Sequence, residues 1–384
     1  MDAPSRAGEP AKHGGGHGSV AQERTGLRYL RVNWLDGSEQ CLDWDALAER
    51  TGNVFATSVW TAAWWRHWGA GRRPLIAACR RPDGTLAAVL PLYEAARGPL
   101  GVLRFLGHGA GDLLGPLCAP EDRGETARTL LGLLHDGQLA WDVVLAQQVA
   151  SGDGWPAALG GRVLRREHSP VLRLRWPSWD AYLADRSANF RQQIRRRERR
   201  LAREHRLEFR RTTAPETLQR DLDVLFALHS ARWGDRASRA LAESRRRFHR
   251  EFAACALERG WLRLWFLELD GAPVAAWYGF RLGGVESYYQ AGRDPAWDHA
   301  SVGFVLLAHS VRGALEDGMR EYRFLRGAES YKDRFTDDGG ELETFVVTRG
   351  LRGKAAAAVA SRAASASWSS GPLAALRRAA GLEG

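Results

Sequence analysis

The chain has 384 residues, of which 45% are hydrophobic and 26% are charged, and this composition excludes a disordered or collagen-like protein. The formal net charge is +10, yet lysine occurs at only three positions, so arginine carries almost all of the positive charge. We interpret this skew as compositional bias rather than a selected phosphate-binding patch, and a nucleic-acid partner is disfavoured.

The length predicts two domains, since a domain usually contains about 100–200 residues. The four cysteines stand singly, without the close pairs that a zinc site needs, so no metal is expected. No run of about 18 apolar residues occurs, which predicts a protein without a membrane span and a cytoplasmic location. Oligomeric state is left open. We expect a disordered tail over 1–26, domains over 27–185 and 186–349, and an Ala/Ser-rich appendage over 350–384.

The first half mixes strand and helix patterns, which predicts an α+β fold with mixed sheets. Tryptophans at 60, 64 and 68 recur at helical spacing and indicate a helix over 44–68 that packs into a core. Short apolar runs at 75–79 and 86–92 flank Asp83 and Gly84, which is typical of a hairpin. The remaining predicted elements are strands at 27–35, 102–106, 141–145 and 171–174 and helices at 121–135 and 179–185.

The second half repeats this plan. Apolar strands at 261–269 and 274–280 are joined through Asp270 and Gly271, 187 residues after the first Asp-Gly pair. Each hairpin precedes a third strand that ends near a glycine, at Gly107 and at Gly292. The repeat predicts two tandem domains of one fold.

A strongly basic helix is predicted over 189–205. Phe190, Ile194 and Leu201 fall on one face, and arginines cover the rest. One interpretation is a solvated helix that docks by its apolar face. The other is that its arginines border a cleft and attract a phosphate-bearing donor or acceptor.

The segment 286–326 predicts a strand, a polar loop, a helix over 301–316 and a further strand. Ser301 is a suitable helix N-cap, and Gly303 in the first turn leaves the backbone amides accessible. Such a helix N-terminus binds anions, and Arg293 is a candidate charge clamp for a pyrophosphate. The alternative is an ordinary capped helix.

Three stretches resemble the GNAT acyltransferase superfamily, in particular the double-GNAT proteins of the BioF2-like and CelD-like type. They are GHGAGDLLGP at 107–116, NFRQQIRRRERRL at 189–201 and FLRGAESYKDRF at 324–335. The resemblance covers about 30–349. The architecture is also similar to that of the Fem peptidoglycan transferases, which take aminoacyl groups from tRNA, although their long helical arm has no obvious counterpart here.

The resemblance implies tandem GNAT domains, acetyl-CoA or another acyl-CoA as donor and direct attack of an amine on the thioester. It implies a donor site in the second domain, and we assign this site to Gln290, Gly292, Arg293, Ser301, Val302 and Gly303. The usual donor-binding run directly precedes its helix, whereas a loop separates Arg293 from Ser301 in this chain.

Within this resemblance, Glu329 is the candidate base and Tyr331 the candidate acid, since aminolysis needs one group to take a proton and one to give it. Lys332 is a candidate clamp for an anionic group of the acceptor. The alternative is a turn in which Glu329 and Lys332 pair in solvent. Asp112 is a candidate acceptor ligand or a turn residue, and Trp233 is a candidate wall of the substrate groove or a core residue.

The leading hypothesis is an N-acyltransferase acting on a small-molecule or glycan-precursor amine, in envelope or polysaccharide biosynthesis by analogy. A second hypothesis is aminoacyl transfer from tRNA. A third is a degenerate, non-catalytic GNAT pair that binds a partner.

Overall fold

The computed structural model describes residues 27–32, 40–96, 99–233, 243–327, 331–336 and 338–366. The predicted tail at 1–26 and the end of the predicted appendage lie outside the described residues. Two mixed sheets with helices against their faces confirm the predicted α+β fold.

The first sheet has eight strands in the order β1-β2-β3-β4-β6-β14-β7, and β5 also pairs with β3. All of its pairs are antiparallel except β4 with β6. Its strands are β1 (Arg28–Val32), β2 (Arg73–Arg80), β3 (Leu86–Ala96), β4 (Val102–Phe105), β5 (Leu117–Cys118), β6 (Val143–Ala150), β7 (Arg162–His168) and β14 (Glu341–Thr348).

The second sheet has six strands in the order β8-β13-β12-β11-β10-β9, and only β12 with β13 is parallel. Its strands are β8 (Val171–Arg173), β9 (Leu207–Arg211), β10 (Leu262–Leu269), β11 (Ala272–Leu282), β12 (Val285–Arg293) and β13 (Glu321–Arg323).

Ten α-helices are seen in the described residues. They are α1 (Gln40–Thr51), α2 (Ser58–Trp68), α3 (Arg123–His135), α4 (Trp155–Ala158), α5 (Trp179–Ala184), α6 (Ala188–Glu204), α7 (Pro215–Trp233), α8 (Glu243–Glu258), α9 (Val302–Glu316) and α10 (Gly350–Ala366).

The predicted repeat is present in both sheets. Each contains an antiparallel hairpin that turns at an Asp-Gly pair, and Gly84 and Gly271 have φ of 88° and 84°, a backbone conformation that favours glycine. In each sheet the third strand of this unit is followed by a helix and a parallel strand, β4-α3-β6 and β12-α9-β13.

The two sheets exchange one strand each. β14 follows the second repeat in the chain, yet it pairs between β6 and β7 in the first sheet. β8 precedes the second repeat, yet it pairs with β13 in the second sheet. The predicted division at 185/186 therefore does not separate the strands of the two sheets.

A shared hydrophobic core joins the halves. Trp60 of α2 is buried against Phe248 and Phe252 of α8, and the inner faces of both sheets contribute to the same cluster. The outer face of the first sheet packs on α3 and α4, and that of the second on α5, α6 and α9.

The predicted helical stretch 44–68 is divided into α1 and α2. Gly52 has a φ of 63°, the Asn53 side chain accepts from the Phe55 amide, and the Thr57 side chain caps Trp60. These interactions end one helix and begin the next. Among the described residues, no helix is long and apolar enough to cross a membrane, and no cluster of three or more metal-ligating side chains occurs.

Candidate functional site

The parallel strands β12 and β13 separate after a short pairing. Only Val285 to Ser287 pair with Glu321 to Arg323, and β12 continues to Arg293 without this neighbour. A cavity of about 490 Å³ lies beside the unpaired part of β12 and beneath the start of α9. Ligands of open sheets with parallel strands bind at such carboxyl ends. We call this space the α9 cavity; its lining includes Trp277, Tyr288, Gly292, Arg293, Ser301, Gly303, Phe304 and Tyr331.

A β-bulge decides which β12 side chains face this cavity. The register between β11 and β12 shifts between Tyr278 and Gly279, so Tyr289 is an additional residue. Tyr288 lines the cavity, whereas Tyr289 is buried in the shared core. Gln290 pairs with Tyr278 and hydrogen bonds to His229 of α7, so this predicted donor ligand is not among the cavity-lining residues.

Gly292 lines the cavity but also has a packing role. A Cβ atom there would lie 2.3 Å from the backbone nitrogen of His229. The absence of a side chain lets α7 lie directly against β12.

Ser301 and Gly303 at the start of α9 border the cavity, whereas the Val302 side chain is buried in the core. Ser301 occupies the N-cap position with a φ of 57°, and its side chain makes no capping hydrogen bond. The carbonyl of Ser301 accepts from the amides of Phe304 and Val305. The first-turn amides of Val302 and Gly303 have no intrahelical acceptor, as in any α-helix.

Arg293 lies beside this helix start, as predicted, but its charge is partly compensated. Its Nε donates to Asp298 Oδ1 at 2.5 Å, and this hydrogen bond holds the pKa of the carboxyl below its usual value. The Arg293 Cδ atom lies 3.5 Å from where a Cβ on Gly303 would be. Arg293 is thus positioned at the helix N-terminus and would have to share its charge between Asp298 and a ligand.

Two tyrosines meet an arginine inside the cavity. The hydroxyl oxygens of Tyr288 and Tyr331 are 3.2 Å apart, and Arg232 of α7 hydrogen bonds to both phenols. Burial alone would lower the pKa of Arg232, but the two phenols outweigh this effect and raise it. A guanidinium group beside a phenol stabilises the phenolate, so the arrangement suits a phenol that gives up its proton.

Lys332 lies outside the α9 cavity, close to Tyr288. It is only 3% exposed, its Nζ donates to the Arg326 carbonyl at 2.8 Å, and it lies 5.6 Å from the centre of the Tyr288 ring. It is not among the residues that line the α9 cavity. Lys332 in this position supports the Tyr288 wall and the segment after β13. Glu329 and the Trp233 side chain lie outside the described residues.

Residues 188–333 match the sequence model of the acetyltransferase (GNAT) domain. They form a GNAT domain. The match shows the enzyme class, an acyltransferase, and its range begins with α6 and ends before β14. No curated protein matches the chain significantly.

Solved structures show the same fold over both halves of the chain. FemX is 11% identical, with a TM-score of 0.58 over 82% of this chain and 96% of its own. The structure of L-PGS from Bacillus licheniformis is 13% identical, with a TM-score of 0.51 over 89% of this chain and 97% of its own. The predicted relation in fold to the Fem transferases is confirmed.

Asp112 does not line the α9 cavity but connects the GNAT domain to the first half. It is 3% exposed, and its Oδ1 lies 2.8 Å from Nε of Arg326. The alignment falls short of a hydrogen bond, so this contact is an ion pair. With its side-chain amide assigned in the orientation that satisfies both neighbours, Gln148 accepts a hydrogen bond from Arg326 and donates one to the Gly111 carbonyl.

Three arginines that line the GNAT domain's cavity were not identified from the sequence, namely Arg232, Arg197 and Arg334. Arg197 and Arg334 both line it and lie 4.9 and 5.4 Å from the centre of the Phe304 ring. Burial, together with the charges of Arg334 and Arg196, lowers the pKa of Arg197. The cluster therefore has a positive potential that favours an anion. A signal for Arg197 was present, because it occupies a position in the apolar stripe of Phe190, Ile194 and Leu201.

The predicted basic helix is α6, and its outer face forms a second space that adjoins the cavity. Phe190, Ile194 and Leu201 are buried, as predicted. A groove of about 950 Å³ shares Arg197 and Ser301 with the α9 cavity. We call it the α6 groove; the arginines that line it are Arg191, Arg195, Arg196, Arg197, Arg199, Arg200 and Arg203.

Proposed function

We propose that this chain transfers an acyl group, acetyl in the simplest case, from acyl-CoA to an amine. The observation that supports this most is the convergence of an α-helix N-terminus, an arginine cluster and a phenol pair in one cavity. The helix and the arginines suit the phosphates of the donor. The phenols suit the thioester chemistry.

In the proposed reaction the neutral amine attacks the thioester carbonyl carbon, and the carbon–sulfur bond breaks. Tyr331 gives its proton to the departing thiolate, while Arg232 stabilises the phenolate that remains. Glu329 is the proposed base that takes the proton of the amine. The amides of Val302 and Gly303, with Arg293 and Arg197, are the proposed phosphate ligands.

The closer assignment, to BioF2-like or CelD-like proteins with an amino-sugar or other small amine as acceptor, is also a proposal. It is supported by the stretch 324–335, which includes Tyr331 and Lys332. A cytoplasmic location, which was predicted from the lack of a long apolar run in the sequence, also remains a proposal.

Calorimetric titration with acetyl-CoA tests the donor site. We expect micromolar binding that is lost in Gly303→Glu, because the new carboxylate would occupy the anion site. Gly303→Ala is the matched control, since a Cβ there meets only Arg293 Cδ at 3.5 Å and the glycine has no positive φ. Arg197→Gln should weaken binding about tenfold. Arg200→Gln should leave the affinity for acetyl-CoA unchanged, because Arg200 already pairs with Glu204. Equal binding by Gly303→Glu and the unaltered chain would refute this site.

A second candidate, aminoacyl transfer from tRNA, is favoured by the α6 groove. Seven arginines along one helix exceed what a pyrophosphate needs, and a nucleic-acid backbone would engage more of them.

The triple variant Arg196→Gln, Arg199→Gln, Arg203→Gln distinguishes the donors. We expect little change in acetyl-CoA binding. If the triple variant loses most of its tRNA binding, and if tRNA binding by the unaltered chain falls steeply with salt concentration, tRNA is favoured as the donor. If neither ligand binds, a non-catalytic GNAT pair is the remaining hypothesis.

A further inference from the structure

A separate pocket lies in the first half, at the ends of β3 and β4 and beside α2. Its volume is about 360 Å³, which is within the range of small-molecule sites. It shares no lining residue with the α9 cavity or the α6 groove. We call it the tryptophan pocket; its lining consists of Trp64, Trp68, Arg72, Tyr93, Ala95, Arg104, His108, Gly109, Ala110 and Arg245.

Three arginines from three separate elements converge on this pocket. Arg104 comes from β4, Arg245 from α8, and Arg72 directly precedes β2. None of the described residues that line the pocket is an aspartate or glutamate. Arg72 and Arg245 form no ion pair with a carboxylate anywhere in the described part of the chain. The pocket therefore has an uncompensated positive charge, which favours an anionic ligand.

Each arginine is held in place by a neutral group. Arg245 donates to the Gly109 carbonyl at 2.7 Å, and Arg104 donates to the side-chain oxygen of Gln147. Arg72 donates to the hydroxyl of Tyr93 at 3.4 Å and lies 5.4 Å from the centre of its ring. For Arg72 and Arg245 these neutral partners fix the guanidinium group without cancelling its charge, so the two groups are preorganised.

The walls of the pocket are aromatic. The Trp64 ring lies 5.2 Å from Tyr93 and 6.0 Å from Trp68, and the Tyr93 hydroxyl lies 3.1 Å from His108 Nδ1. Trp64 is oriented by its hydrogen bond to the His108 carbonyl at 2.9 Å. Fixed aromatic faces of this kind pack against flat or cyclic groups.

We propose that the tryptophan pocket binds a cyclic compound that carries a phosphate group. Three guanidinium groups match a phosphate, with about two negative charges and three acceptor oxygens, better than a single carboxylate. The ring packs against Trp68, which is partly exposed, whereas Trp64 is buried behind it. The proposal does not depend on the acyl-transfer function, and it concerns a different set of residues.

Calorimetric titration without acyl-CoA tests the pocket, with glucosamine 6-phosphate, phenyl phosphate, glucosamine and inorganic phosphate as probes. We expect one or both of the phosphorylated rings to bind at least about tenfold more tightly than glucosamine or inorganic phosphate. The comparison of the two rings distinguishes a sugar phosphate from an aryl phosphate. If neither phosphorylated ring binds more tightly than inorganic phosphate, the proposal is overturned.

Arg72→Gln should weaken this binding about tenfold, because Arg72 is exposed and its loss removes one charged hydrogen bond. Arg73→Gln is the matched control. Arg73 is the adjacent exposed arginine, pairs with Glu94 and does not line the pocket. Gly303→Glu, which changes the α9 cavity, should leave the affinity for the phosphorylated ring unchanged. Loss of binding in Gly303→Glu but not in Arg72→Gln would assign the probe to the α9 cavity and overturn the proposal.

Discussion

Tyr331 is the residue whose hydroxyl group is most directly linked to the proposed chemistry. Tyr331→Phe should lower kcat by about 100-fold or more, because the thiolate would leave without a proton donor. The affinity for acetyl-CoA should change little. Thiol release in the presence of a reactive amine measures kcat, and calorimetry measures affinity.

The matched control is Tyr288→Phe, which removes the other phenol of the pair and keeps Tyr331. It should lower kcat less than Tyr331→Phe does. Unchanged turnover in Tyr331→Phe would remove Tyr331 from the mechanism, and equal loss in both variants would make the pair the functional unit.

Some of the residues that line the α9 cavity could be identified from the sequence, and others could not. Ser301, Gly303, Arg293 and Tyr331 line one cavity. The first three could be identified because an anion-binding helix start has a recognisable composition, and Tyr331 from the family resemblance of residues 324–335. Gln290 was not predicted correctly as a lining residue. Strict alternation along β12 would have placed it beside Tyr288, but the bulge at Tyr289 turns it toward α7.

The contact between β12 and α7 is the element-scale feature that fixes one wall of the site. Gly292→Ala should destabilise the protein by about 1–3 kcal/mol or more, since its Cβ would meet the backbone of α7 at 2.3 Å. Thermal unfolding measures the effect. Gly303→Ala, the control at the start of α9, should unfold close to the temperature of the unaltered chain. Equal unfolding temperatures for the two variants would show that α7 can move away without loss.

Elements built from local signals were predicted well, and non-local pairings were not. The Asp83-Gly84 and Asp270-Gly271 turns specify their hairpins through the backbone conformation of a few residues. β14 was not predicted from the sequence, and its residues carry no information on which sheet accepts it. Its pairing with β6 and β7 depends on the arrangement of the whole chain.

Across the whole molecule, three histidines predict a loss of stability in acid. Burial lowers the pKa of His229 and His309 to about 4 and that of His249 to about 3. The ordinary value near 6.5 applies in the unfolded chain, so their contribution is present above pH 6.5 and is lost as the pH falls toward the folded-state values. Between pH 7 and pH 5 we expect the free energy of unfolding to fall by about 2 kcal/mol per histidine.

Denaturant unfolding at several pH values measures this dependence. His249→Leu is the informative variant, because neither ring nitrogen of His249 has a hydrogen-bond partner among the described residues. The free energy of unfolding of His249→Leu should depend less steeply on pH, because the contribution of one histidine is missing. An unchanged slope would show that His249 does not titrate on unfolding.

The exchange of strands predicts that the halves do not fold alone. A fragment of residues 27–185 lacks β14, so β6 and β7 lose their common neighbour. We expect this fragment to be unfolded or aggregated by circular dichroism and size-exclusion chromatography. A chain that ends at residue 366, which keeps all ten α-helices and both sheets, is the control and should unfold in one cooperative transition. A folded, monomeric 27–185 fragment would contradict the prediction.

The same exchange determines when the protein can fold during its synthesis. The first sheet is complete only after β14 has left the ribosome, and β14 ends 180 residues after β7, at Thr348 rather than His168. At about 5–20 residues per second, the edge of β6 stays open for roughly 10–40 seconds in every nascent chain. The N-terminal half is therefore synthesised first and completed last, and during that interval the unpaired edge of β6 is open to pairing with other chains.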